Sequence, residues 1–339
     1  MNTGKLLILG VFGAFTFASC SDDDNNDDMP MNEASANLYA TSHADGNVTH
    51  YDLTNSTTTT ITTSASDSEG IYVSPEDDSF TIAARGATQT SVQAYVGISD
   101  IIMSTVNLTA AFSGPSILQN PRDIAVNGNF YVVADSQNAN AGRFFVFEKS
   151  NGSFTLSRTI TTDFSVWGIE FVGNDLYAVV DMSNELAVFT NFLASNPADA
   201  TVSASKRVAI EGIVRTHGIA FDGGTMIMSD IAAASGDNAA TDGGFHVITN
   251  FMSKFNAVAD GGTLAVGQQI RYAGAATLMG NPVNVEYDAD SDTVYVAELA
   301  NGGGRVLAFT NVSTGGGGNA TPAVNNSLAG VSSLYFYKG

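Results

Sequence analysis

Cys20 is the only cysteine of the chain, so no internal disulfide can staple the fold. Basic residues are scarce too: thirteen Lys and Arg stand against 34 Asp and Glu, giving a net charge of −21. A field of that sign repels nucleic acid and anionic lipid headgroups, which argues against both as partners. The sequence has no Gly-x-Ser-x-Gly elbow, no His-Glu-x-x-His and no Cys-x-x-Cys. A serine hydrolase, a zincin and a thiol redox enzyme each lose their usual support. Tryptophan occurs once, at position 167.

What remains is 44% apolar residues and only 14% charged ones. With abundant Gly, Thr, Ser and Asn, that is the composition of many short strands joined by polar turns. The 339 residues suffice for one large repeat domain.

The repeat is clearest in Asn120–Lys149. There a strand (Asp123–Val126), an Asn127-Gly128-Asn129 turn and two Val-, Phe- and Tyr-rich strands (Phe130–Ala134, Arg143–Phe147) follow one another. Asn-Gly suits a tight hairpin, and β-branched and aromatic residues suit a pleated surface. Taking Ile71, Ile124, Ile169, Ile219, Val285 and Leu334 as equivalents, the spacings are 53, 45, 50, 66 and 49 residues. Four-stranded propeller blades have periods of this size. The first unit, from Asn37, has no inner strand of its own, whereas Ser333–Tyr337 stands alone at the other end. The expectation is all-β: a six-bladed propeller of four-stranded blades over 37–339, closed by the C-terminal strand joining the N-terminal blade. A strand pair hidden within 99–119, or a hairpin in the long fifth unit, would make a seventh blade.

The wording of Asn120–Phe147 and Asn281–Phe309 resembles NHL-type repeats. In these a Pro-x-Gly-Ile-Ala-Val-like strand precedes a Tyr-Val-Ala-Asp-like strand and an Arg-x-x-Val-Phe-like strand. The resemblance covers most of 37–339 and implies architecture, with members that include binding modules and a few enzymes.

Residues 1–19 carry Lys5 and then an apolar run too short to span a membrane comfortably, the pattern of a cleaved export signal. Phe17-Ala18-Ser19-Cys20 resembles a bacterial lipobox, which implies lipidation of Cys20. The acidic run Ser21–Asp28 within the 20–36 tether is solvated and without a core. Behind a lipidated cysteine it also resembles the surface-export signal of Bacteroidetes-type lipoproteins. The expected address is therefore the bacterial outer membrane, lipid-anchored and facing outward.

Strand alternation brings the residue before each inner strand and the loop after each second strand to one face. The first set is Glu69, Arg122 with Asp123, Trp167, His217, Asn284 and Ser332. The second is His43, Arg85, Asp135, Asp181, Asp230 and Glu298. Glu69, Arg122, Asp123, Trp167, His217 and Asn284 are the candidate ligand-binding residues, a polar funnel with an aromatic platform for a sugar or other small polar ligand. Asp135, Asp181 and Asp230 can instead tie down their own loops by accepting backbone N–H groups. Propeller lactonases hold calcium at this mouth, and Glu69, Asp123 and Asn284 could supply oxygen ligands, although no family motif surrounds them. Asp288–Asp292 reads as a turn on the opposite face. Ala232–Gly244 reads as a lid or a surface insertion, and Gly315–Gly318 as a flexible run.

The primary expectation is a lipid-anchored binding module, without a cofactor or catalytic residues, for a glycan, peptide or partner protein. A calcium-dependent lactonase-like hydrolase and a structural subunit of an envelope complex are the alternatives.

Overall fold

A computed structural model describes residues 35–86, 90–99, 101, 105–138, 141–233 and 241–339. The export signal, Cys20 and nearly all of the acidic tether lie outside the described residues, as do 234–240 of the Ala232–Gly244 insertion.

Among the described residues, six antiparallel sheets of four principal strands each form the blades. The inner strands are Ser68–Ser74, Pro121–Asn127, Val166–Val172, Ile219–Asp222, Pro282–Asp288 and Val331–Lys338. The last of these pairs with Ala36–Ser42, Tyr335 opposite Tyr39, and so supplies the inner strand that the first blade lacks. Because the two ends of the repeat share one sheet, no inner edge is left open. Ala36 lies opposite Lys338, so the chain enters the propeller on the lower face, away from the starts of the inner strands.

The strand sequences follow from a blade that is covered on both faces. Val132 and Ala134 pack with Ile169, Leu176 and Ala178 of the next blade, while Tyr131 and Val133 pack with Val92 and Ala94 of the preceding one. Residues alternate across a strand, so a two-sided blade needs apolar residues at successive positions, as in Tyr131-Val132-Val133-Ala134. The described residues hold six apolar clusters, one at each blade–blade seam.

Among the described residues no seventh blade forms. Thr105–Asn107 pairs parallel with the outer strand Thr57–Thr62, and Phe112–Ser113 is the fourth strand of the second blade. Thr60–Thr62 of that outer strand is thus covered, whereas Thr57 and Thr58 stay exposed. Ala200–Val202 and Thr263–Leu264 add in the same parallel manner to the third and fourth blades. Ile270–Ala273 is the fourth strand of the long fifth unit.

Two turn expectations have different outcomes. Asp288 accepts from the Asp290 N–H at 3.1 Å and the Ser291 hydroxyl at 2.6 Å, making the acidic stretch a hairpin turn on the lower face. The Gly315–Gly318 run is not a free linker: Gly318 N–H donates to Arg271 O at 2.7 Å, and its carbonyl accepts from Ala273 N–H at 3.0 Å.

Candidate functional site

Glu69 begins the second inner strand and is 1% exposed. Its carboxylate is paired with Arg85, and His43 Nε2 and Arg122 Nη1 each lie 3.6 Å away. Burial opposes the Glu69 charge, but His43, Arg85 and Arg122 outweigh it and hold the pKa below the ordinary carboxylate value. His43 Nδ1 lies 2.6 Å from Asp67 Oδ1. Burial alone would lower the His43 pKa, but Glu69 and Asp67 raise it to about 9.

Arg122, Trp167 and His217 begin three successive blades and stack in that order. The Arg122 guanidinium carbon sits 3.9 Å from the indole centroid. The His217 ring lies 3.5 Å from the indole with planes 6° apart. With a neighbour from the blade on each side, Trp167 is filled in by protein and offers no open face for a sugar ring. His217 is 4% exposed, and burial lowers its pKa to about 4. Its Nε2 lies 3.4 Å from Asp181 Oδ1, which accepts from Arg215 Nε at 3.0 Å and Nη2 at 2.7 Å. Burial works against the Asp181 charge, but His217 and Arg215 outweigh it and bring the pKa to about 2.

Just inside the mouth, a belt of bonds joins the inner strands. Asp123 accepts from Ile169 N–H and Ile124 N–H, both at 2.9 Å; Asn284 Oδ1 accepts from Leu334 N–H at 3.0 Å; Ser333 Oγ accepts from Gly70 N–H at 2.9 Å. Glycines allow this approach. A Cβ on Gly168 would stand 2.4 Å from His217 O, and one on Gly218 2.6 Å from the Asn284 Cα. Asp123 and Asn284 therefore act as blade-to-blade fasteners here, while Glu69 is held by cations. Among the described residues no group of three or more His, Cys, Asp or Glu is placed to hold a metal.

The carboxylates after the second strands divide in two. Asp135 accepts from Gln119 and Asn120 N–H, Asp230 from Val214, Arg215 and Ala232 N–H, and Glu298 from Gly280, Asn281, Ala300 and Asn301 N–H. Each ties the loop that leads into its own blade. Asp181 differs, since beyond one N–H it accepts from the Arg215 side chain and stands 3.4 Å from His217 Nε2, both leading into the next blade.

Below the belt, a central cavity of about 280 Å³ is lined by Tyr72, Asp123, Ala125, Glu170, Asn284, Glu286 and Tyr335, among others. Glu170, Glu286 and Tyr335 also border a lower-face pocket of about 460 Å³. Burial raises the Glu170 pKa to about 8, with Asp123 and Asp222 adding to the rise. Glu286 is pushed well above the carboxylate range by burial and by Glu170. Asp123 reaches about 7, since burial outweighs its two N–H donors. Sequence reasoning missed Tyr72, Glu170, Glu286 and Tyr335. The signal was present: each directly follows one of the six equivalent positions, and a carboxylate inside an apolar inner strand is unusual.

No family model and no curated protein matches the chain. Solved structures do. A putative 6-phosphogluconolactonase from Bacteroides uniformis is 10% identical, with a TM-score of 0.61, covering 89% of this chain and 99% of that one. A chain of a nidogen/laminin complex is 11% identical, with a TM-score of 0.56, covering 89% and 98%. At such identities the likeness is one of fold. The chain is a six-bladed β-propeller.

Proposed function

We propose that the chain is a lipid-anchored, surface-displayed binding module of NHL-like blades that docks a partner protein or peptide on the mouth face. The observation that carries this is a pair of exposed apolar side chains beside arginines. Met182 is 63% and Val214 61% exposed, on loops joined by the Arg215–Asp181 pair and by Thr216 N–H donating to Ser183 O at 3.2 Å. Met182 is also held in the left-handed region at φ 61°, an uncommon conformation for a residue of its size. Methionine and arginine are enriched at interface cores, and Met182 and Val214 present apolar surface beside Arg215. The covered indole favours a protein or peptide over a glycan.

The hydrolase alternative asks Glu69 to exchange three cationic neighbours for a metal ion, and Asp123 and Asn284 to release backbone bonds. The lactonase-like neighbour supports it only through fold.

The test is site-specific photo-cross-linking on intact cells. A photoreactive residue at position 182 should give a discrete adduct, abolished by Val214→Glu, whereas one at Asn174 on the lower face should not. No adduct from position 182, or equal adducts from both, would count against docking at the mouth.

A further inference from the structure

Arg122 stands apart from the other mouth arginines. Arg85 is paired with Glu69, Arg143 donates to Asp135 at 2.7 Å, and Arg215 donates twice to Asp181. The Arg122 side chain makes no hydrogen bond among the described residues, and its buried Nε has no partner. Among the described residues the one carboxylate within 4 Å of it is Glu69, at 3.6 Å and already taken by Arg85, while Asp181 and Asp135 act on it from farther off. Yet the Arg122 side chain is only 18% exposed. A largely desolvated guanidinium with unused donors is costly unless something accepts from them. The Arg122 guanidinium carbon lies 3.9 Å from the Trp167 centroid, and a guanidinium set over an aromatic face keeps its edge N–H groups for an acceptor.

The space for an acceptor is present. Arg122 lines an open pocket of about 250 Å³ with Asn120, Ser136, Asn138, Ser165, Asp181 and Met182. Met182 places this pocket at the edge of the exposed apolar patch.

We propose that Arg122 anchors a carboxylate of the docking partner, an Asp or Glu side chain or a chain terminus, by a two-pronged bond in this pocket. The proposal rests on the docking reading above and names the chemistry the partner brings. A planar carboxylate matches the guanidinium fork. Asp181 on the wall and Glu69 behind favour a monoanion over a phosphate dianion, since each added negative charge meets two fixed ones.

The single tryptophan reports on this pocket directly, because Arg122 lies against it. The full chain would be titrated with N-acetylglycine, which mimics a terminal carboxylate, while Trp167 fluorescence is followed. N-acetylglycinamide and inorganic phosphate are the controls. The expected result is a saturable change with N-acetylglycine and none with the amide. Affinity should fall roughly tenfold or more in Arg122→Gln and less in Arg122→Lys, which keeps the charge and loses the fork. Thermal melting checks that each variant is folded, and if Arg122→Gln is not, Arg122→Lys carries the comparison. No saturable change, an equal response to the amide, a response to phosphate alone, or unchanged affinity in folded variants would overturn the proposal. A position-182 cross-link without a response to N-acetylglycine keeps the docking reading and removes the carboxylate anchor. A response without a cross-link does the reverse.

Discussion

The His217 imidazole lies flat on the Trp167 indole, ring centroids 3.5 Å apart and planes 6° from parallel. Burial lowers the His217 pKa to about 4, so the imidazole is neutral at physiological pH and becomes a cation only in acid. An imidazolium quenches indole emission. Trp167 fluorescence should therefore drop with a midpoint near pH 4, and His217→Leu should abolish the transition. A midpoint near the ordinary histidine value of about 6.5 would mean that the stack is open to water.

The channel carboxyls set a second pH dependence. The Glu170 pKa rises from 4.5 to about 8 on folding. A raised folded-state value means that stability is fully present below the unfolded pKa and is lost as pH climbs through the folded one. Glu170→Gln removes the charge that causes the loss. The variant should melt near the wild-type temperature at pH 4 and above it at pH 8 to 9. Coincident melting temperatures across that span would show that channel water solvates the carboxylate.

The belt makes a steric prediction. Gly168→Ala and Gly218→Ala drive a Cβ into neighbouring backbone and should each cost about 1–3 kcal/mol in denaturant unfolding. Gly316→Ala, with nothing within 4 Å of the added carbon, should be close to neutral.

The anchor is tested separately. Cys20→Ser should move the protein from the membrane fraction to the soluble one and remove palmitate labelling. The wild type should be cut by protease added to intact cells. Soluble wild type, or protection from protease, would contradict lipid-anchored surface display.

Much of the fold was legible because a two-sided blade writes apolar residues at successive positions. The six equivalents from Ile71 to Leu334 each lie in an inner strand, and the lone C-terminal strand closes the ring. Thr105–Asn107, Ala200–Val202 and Thr263–Leu264 were not legible: segments this short have no periodicity, and their pairing depends on tertiary position. At the mouth, strand alternation placed Glu69, Arg122, Trp167 and His217 near one face, as the contacts of Arg122 with Glu69 and Trp167 and of Trp167 with His217 show. It could not show that Trp167 is flanked by Arg122 and His217, because those contacts cross blades and exist only once the ring is closed. The channel residues were missed for a different reason, since attention to strand starts passed over Glu170 and Glu286 one step further along.

The central claim is that the mouth around Met182 is an occupied docking surface, and methionine oxidation tests it directly. Met182 is 63% exposed in the isolated chain. Brief peroxide treatment followed by mass spectrometry should show rapid oxidation of Met182 in purified protein and marked protection on intact cells. Protection should disappear in Val214→Glu. Equal oxidation of Met182 in both settings would contradict docking at this face.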